Sequence, residues 1–398
     1  MLLNVKKIGL VPRLLLGIIS GILIGMFLPE TVSRLLYTFT HIFGEFLNYI
    51  VPFVILAFII PGIAELGNKA GRLLGSTVLI AYVSTITAGT AAYLIASRIV
   101  PAIVKAANVA NPEEGGLEPF LTLEIPPLLG VMTALVTAFV IGMGINHIRH
   151  NGDQQNLYGF MTEFRDIIVL VIENVIIPFL PLHIAGVFAN MAFSGTAFET
   201  LNVFGRVFAL IIAMHLGYLV ILYTIAGSVS GKNPFKSLKN MIPAYTTAIG
   251  TMSSAATIPV TLKSARKNNI TEKILDFVIP LCATVHLAGS TITLTTCAIA
   301  VVLIQGGTPE FGLFLHFILM LGVTMIAAPG VPGGAVMAAL GLLTSILGFG
   351  EGATALMIGL YLAQDSFGTA TNVTGDGAIA IIVDAIGKKS GAIKEEAA

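Results

Sequence analysis

Tyr361–Val383 reads YLAQDSFGTATNVTGDGAIAIIV, an apolar stretch of helical character that carries two carboxylates. Asp365, Thr369, Asn372 and Asp376 follow one another by four, three and four residues. At ~100° per residue a helix projects all four from one side. Gly368 lies on the same side and leaves bare backbone where something can approach closely. Apolar sequence continues on both sides of this stripe, which sets it apart from a helix end with two solvated acids. Ionisable groups inside a membrane segment are costly and usually face a bundle interior or a pathway. The stripe is therefore the candidate functional site.

The rest of the chain supplies the membrane. Of its 398 residues 56% are hydrophobic and 11% charged, with a mean hydropathy of +0.92, which is too apolar for a soluble domain of this length. The composition predicts an all-α polytopic membrane protein. A formal net charge of zero argues against nucleic acid as a partner, because no basic surface is available to replace the counterions of phosphate. Cys282 and Cys297 fall in one apolar segment and read as small buried residues. Lys6 and Lys7 precede a long apolar run with no clear cleavage site, so the first helix reads as retained.

Segments long enough to span lie at Val11–Leu28, about Leu36–Glu65, Leu73–Val100, Leu128–Ile148, Phe164–Phe193, Leu201–Gly227, Leu275–Ile304 and in the closing helix. Together they give eight transmembrane helices. Two stretches fit this scheme badly. Met241–Leu262 has Pro243 and Pro259 near its ends and Thr251, Ser253 and Ser254 at its centre; Phe311–Phe349 is broken by Ala328-Pro329-Gly330-Val331-Pro332-Gly333-Gly334. Lys and Arg concentrate in short cytoplasmic loops. The first stretch is flanked by Lys232, Lys236 and Lys239 before it and by Lys263, Arg266, Lys267 and Lys273 after it. Both flanks belong to the cytoplasm, so the stretch is a re-entrant hairpin. With both termini cytoplasmic, only Arg34, Arg98, Lys105 and Arg206 of the 21 Lys and Arg fall outside. Neither Lys nor Arg occurs between Lys273 and Lys388, so length threads the second stretch. The arm Ala335–Leu347 is too short to span ~30 Å at ~1.5 Å per residue, which makes a second re-entrant hairpin, entering from the opposite face. Broken backbone at membrane depth is tolerated where it is buried in protein or lines a cavity.

These residues resemble the dicarboxylate/amino acid:cation symporter family along nearly the whole chain. The carriers are Ser253-Ser254-Ala255-Ala256-Thr257-Ile258-Pro259-Val260, Gly330-Val331-Pro332-Gly333, and Asp365 with Asn372-Val373-Thr374-Gly375-Asp376. The resemblance implies an elevator-type transporter of inverted repeats in the plasma (inner) membrane, assembled as a homotrimer in lipid. Its scaffold would comprise residues 1–66 and 101–197, its transport domain residues 67–100 and 198–387, and its cytoplasmic tail residues 388–398. It implies a substrate site of Met252, Ser253, Ser254, Val331, Pro332, Gly333, Asp365, Gly368, Thr369 and Asn372, in which Asp365 accepts an ammonium while Asn372 and the two serines hold an α-carboxylate. It implies sodium as the coupling ion, no other cofactor, and sodium ligands among Asp376, Asn372, Cys282, Thr284, His286, Met325, Ile326 and Ala328. A hard cation wants oxygen ligands and an ammonium pairs naturally with a carboxylate.

Departures from the family pattern shape the expected function. Many acidic-substrate members carry an arginine where this chain has Gly368, and others where it has Met252. Without either, a substrate's side-chain carboxylate would be left unpaired at high cost. A small neutral amino acid such as serine, threonine or alanine is expected, with a proton- or sodium-coupled acidic amino acid or dicarboxylate as the alternative. The family's Asn-Met-Asp-Gly-Thr reads His286-Leu287-Ala288-Gly289-Ser290 here. That removes an asparagine side chain, a thioether and a carboxylate, and implies coupling to fewer sodium ions. His286 is either a protonatable coupling group or a neutral histidine hydrogen-bonded in the bundle. His147, His150, His183, His215 and His316 lack metal spacing and read as interfacial or structural. Asp365 and Asp376 lie ~16 Å apart along one helix, too far to share a proton as an aspartyl-protease dyad does, so no enzyme is expected. An ion channel is the remaining alternative of another class. Gly330–Gly334 is the candidate gate.

Overall fold

The computed structural model describes residues 10–65, 71–107, 116–151, 155–326, 328 and 332–389. Gly330 and Val331, expected at a hairpin tip, and the tail beyond residue 389 lie outside the described residues. Helices α1 (Leu10–Phe27), α2 (Glu30–Glu65), α3 (Gly71–Ala107) and α4 (Val131–Asn151) are followed by α5 (Asn156–Val171), a π-turn at Ile172–Ile176 and α6 (Ile177–Phe193) in one continuous rod. Then come α7 (Ala197–Ser230), α8 (Pro234–Asn240), α9 (Ile242–Thr251), α10 (Ser254–Arg266), α11 (Glu272–Val285), α12 (Ala288–Ile304), α13 (Phe311–Met325), α14 (Gly334–Ser345) and α15 (Glu351–Lys389). Five stretches among the described residues are long and apolar enough to cross a membrane: Glu30–Ala64, Gly75–Ala106, Asn156–Phe193, Ala197–Ser230 and Glu272–Ile304.

Two groups of helices emerge from the packing. In the first, α1 lies on α6, and α2 packs against α4, α5 and α6. Small residues set this geometry. A Cβ on Gly17, Gly21 or Gly25 would stand 2.5, 2.2 or 2.3 Å from the carbonyl oxygen of Pro181, Ala185 or Ala189. The four-residue spacing on both helices keeps the glycine stripe against successive turns of α6, a close approach that larger residues forbid. The second group surrounds α12 and α15, which pack on each other and against α3, α7, α9 and α11. All but two residues of α12 are buried, and a helix that is apolar all round must be covered on every side.

One of the sequence readings changes in detail. Leu275–Ile304 is broken, with α11 ending at Val285, α12 beginning at Ala288 and His286 in extended conformation (φ −113°, ψ 90°) between them. The two badly fitting stretches each form a pair of short helices in contact, α9 with α10 and α13 with α14. Between α9 and α10, Met252 takes a left-handed conformation (φ 52°) and Ser253 caps α10, its hydroxyl accepting from Ala256 N at 3.2 Å. The polar end of this group is tied by Lys232, whose Nζ donates to Asn268 O and Asn269 O at 2.7 and 2.9 Å. Partial burial lowers the pKa of this lysine, opposed by the charge of Asp384.

Candidate functional site

α15 is unbroken from Glu351 to Lys389, so the expected stripe forms: Asp365, Thr369, Asn372 and Asp376 are 4%, 6%, 3% and 1% exposed. Other helix ends converge on it. The backbone N–H of Gly333, which caps α14 in a left-handed conformation (φ 77°), donates to Asp365 Oδ2 at 2.6 Å. The Thr369 hydroxyl lies 3.5 Å from Asp365 Oδ1. An unpaired helix N-terminus carries partial positive charge, so this contact steadies a carboxylate that burial penalises.

One helical turn beyond Thr369, Asn372 meets the start of α12. Its Oδ1 accepts from the N–H groups of Gly289 and Ser290 at 2.8 and 3.3 Å, and its Nδ2 donates to Ser290 Oγ at 3.0 Å. Ser290 Oγ also accepts from the Tyr361 hydroxyl at 2.9 Å. These partners fix the orientation of the amide, with oxygen towards α12, and use one of the two Nδ2–H donors. The contact is close: a Cβ on Gly289 would come within 2.5 Å of Gly368 O and 2.6 Å of Thr371 Cβ. Gly289 O in turn accepts from His215 Nε2 of α7 at 3.0 Å.

Asp376 is held differently. His286 Nδ1 stands 2.9 Å from Asp376 Oδ1, and His286 Nε2 stands 3.0 Å from Ser84 Oγ, which bonds in turn to the Tyr218 hydroxyl. The histidine side chain is 0% exposed. Its ring fits a slot on α15 that only glycine leaves open, since a Cβ on Gly375 would stand 2.7 Å from His286 Cε1. The helix break at His286 thus presents a side chain, not only carbonyl oxygens, to the carboxylate. An Asp376 oxygen expected to ligate sodium is occupied by the imidazole.

The remaining expected ligands are scattered. Cys282 is buried, and its carbonyl oxygen accepts from His286 N at 2.9 Å as α11 ends. Thr284 is exposed, its hydroxyl donating to Leu281 O at 2.9 Å. Met325 and Ala328 are buried and joined by a backbone bond from Ala328 N to Met325 O at 3.3 Å, while Ile326 closes α13 half-buried. Among the described residues, no group of three His, Cys, Asp or Glu is arranged to hold a metal ion. Met252 and Pro332 are half-buried, and Ser254 is 8% exposed. Both α9 and α10 pack on α15. The structure brings Gly333 directly to Asp365 and adds Ser290, Tyr361, Ser84 and Tyr218, which had no role assigned from sequence, and His215, which read there as interfacial or structural. Their only signal was position: Gly289-Ser290 close the altered five-residue motif, and Tyr361 precedes Asp365 by one turn.

Two carboxylates and an amide line one buried stripe, and the ends of two interrupted helices meet it. That arrangement offers fixed donors and acceptors to a small charged solute. The model of the sodium:dicarboxylate symporter family matches residues 10–386, nearly the whole chain, and the chain therefore belongs to that family of secondary active membrane transporters, which are not enzymes.

Proposed function

We propose that the protein couples sodium entry to uptake of a small neutral amino acid, serine-, threonine- or alanine-like, by an elevator movement of a transport domain against a homotrimeric scaffold. The observation that carries the substrate class is the charge of the site. Asp365 is a buried carboxylate, and the chain has no Lys or Arg from residue 274 to residue 387. A substrate ammonium has a partner in Asp365, and its α-carboxylate has the free Nδ2–H of Asn372 and the serine-capped start of α10. A second carboxylate would meet no cation, and a buried unpaired charge is costly. Eight spans, two re-entrant hairpins and cytoplasmic termini are the topology that accompanies this reading.

The contact between His286 and Asp376 supports a second reading for the coupling ion alone. With an imidazole on Asp376, sodium has to displace a hydrogen bond to bind there, and a proton held by the pair is the competing cargo. Uptake of labelled serine, threonine, alanine, aspartate and succinate into proteoliposomes, under an inward sodium gradient, an inward proton gradient or neither, separates these. Sodium-driven uptake of a neutral amino acid is the expected result. Uptake driven by protons alone assigns the coupling to the His286 pair. Uptake of succinate or aspartate in preference to serine overturns the substrate class, and conductance without saturation or gradient dependence indicates a channel.

A further inference from the structure

The two helix groups are joined by a short histidine–carboxylate contact far from the site. His41 Nδ1 of α2 lies 2.6 Å from Glu351 Oε2 at the start of α15, with side chains 20% and 28% exposed. The Glu351 side chain lies over Gly44, where a Cβ would stand 3.5 Å from its Cδ. Glu45, the next residue, lies beside the Glu351 carboxylate, and its Oε2 accepts from Ile125 N at 3.0 Å. His41, Gly44 and Glu45 are spaced by three and four residues and so form one face of α2, a seat shaped for a single carboxylate. Cavities of about 540 and 650 Å³ lie on either side, and Glu351 lines both. Cavities on both sides of a short pair mark a seam that can open, because there is room for water to solvate both partners once they part.

Glu351 and Asp365 belong to the same unbroken helix, ~21 Å apart along it. Whatever displaces the site relative to α2 must first break this pair. We propose that His41 and Glu351 form an interdomain latch that holds the transporter in the arrangement described here and must release in every transport cycle. This rests on the elevator reading above. The seat on α2 gives the pair its second property: Glu45 already has an alternative partner in the link at Ile125, so release of Glu351 leaves no carboxylate of α2 orphaned.

Replacing both residues by cysteine (His41→Cys with Glu351→Cys) in the full chain, and bridging them with a short bifunctional thiol reagent in proteoliposomes, tests the latch. Native Cys282 and Cys297 are buried, and each single-cysteine variant serves as control. The bridged protein is expected to bind substrate with unchanged affinity and to lose uptake at least tenfold, with recovery on reduction. Uptake by the bridged protein at the unbridged rate overturns the latch, and so does loss of binding together with uptake, since a latch arrests movement without touching the site.

A second measurement keeps the proposal decidable if the double-cysteine protein fails to fold. Spin labels at the exposed residues Leu35 on α2 and Ile386 on α15 report the distance between the two helices. His41→Ala, Glu351→Ala and the double variant are each expected to raise the second population by the same ~2- to 5-fold, the range of a half-exposed pair. Additive shifts, or one distance in every variant, overturn the proposal. If the unbridged parent carries none of the tested substrates, the transport reading fails, and the latch is decided by these distances alone.

Discussion

Gly289→Ala should damage the site through packing alone. The added Cβ would stand 2.5 Å from Gly368 O and 2.6 Å from Thr371 Cβ, against an ordinary contact of ~3.5 Å. Backbone and a β-branched carbon cannot rotate away, so α12 must retreat from α15 by about 1 Å. The N–H groups of Gly289 and Ser290, now 2.8 and 3.3 Å from Asn372 Oδ1, then move to ~3.8 Å and beyond, outside hydrogen-bonding range. Overpacking costs about 1–3 kcal/mol, and the lost bonds about 0.5–1.5 kcal/mol each. Substrate affinity should fall at least tenfold if ~1.4 kcal/mol of this is lost from the bound state. Gly368→Ala is the control from the opposite side of the same contact. Its Cβ would meet Ser290 N, Ser290 Cα and Thr293 Oγ1 at 3.5, 3.6 and 3.6 Å, ordinary distances, and the helix gains up to ~1 kcal/mol of propensity. Thermal unfolding in detergent and a substrate-binding titration read both variants. Gly289→Ala with wild-type melting and affinity, or Gly368→Ala equally damaged, would refute the reasoning.

Asp365→Asn should abolish uptake of an amino acid at any gradient while the protein still folds, because the Gly333 N–H keeps an acceptor; uptake within a factor of two of the parent places the ammonium elsewhere. Asn372→Asp retains the acceptor that α12 needs but removes both Nδ2 donors, including the one to Ser290 Oγ, and buries a further carboxylate. Melting in detergent should fall, and binding should fall at least tenfold; unchanged melting and affinity count against the role given to the amide. Met252→Arg places a cation beside Ser253 and should raise aspartate uptake relative to serine by about tenfold, the scale of ~1.4 kcal/mol; unchanged preference in competition assays counts against the charge argument. Gly375→Ala, with Cβ 2.7 Å from His286 Cε1, should push the ring off Asp376, destabilise the protein by about 1–3 kcal/mol and change the sodium dependence of uptake. An identical sodium titration would detach His286 from coupling.

Much of the fold was legible because burial and period coincide in the long helices. The stripe from Asp365 to Asp376 could be placed on one face from spacing alone, since nothing within it breaks a helix. The break at His286 could not. Leu275–Ile304 is predominantly apolar and has Pro280 but no glycine or proline at the break itself, so hydropathy reads a single span. What opens the backbone there is tertiary: the His286 ring bonds Asp376 and Ser84 from helices 90 and 202 residues away in sequence. No local propensity encodes a partner at that distance. His41 was passed over for the same reason, since one histidine in an apolar helix carries no signal until Glu351 is set beside it.

The helix interruptions explain why the site needs so few side chains. A transmembrane helix satisfies its own backbone and has nothing left to offer a solute. An interrupted one exposes N–H groups at the new start, and here two such starts, α12 and α14, address the same face of α15 seven residues apart, at Asn372 and Asp365. The side chains on that face accept these donors, so the site is held shut by hydrogen bonds between helix ends and the stripe. On the proposed amino acid substrate, an ammonium at Asp365 would compete with Gly333 N–H, whereas a carboxylate at the Asn372 amide would displace neither of the bonds from α12 to its oxygen. On that proposal the two ends of a zwitterion would act on the protein differently: the carboxylate would meet a donor already turned away from α12, and the ammonium would compete with the start of α14 for the carboxylate it holds.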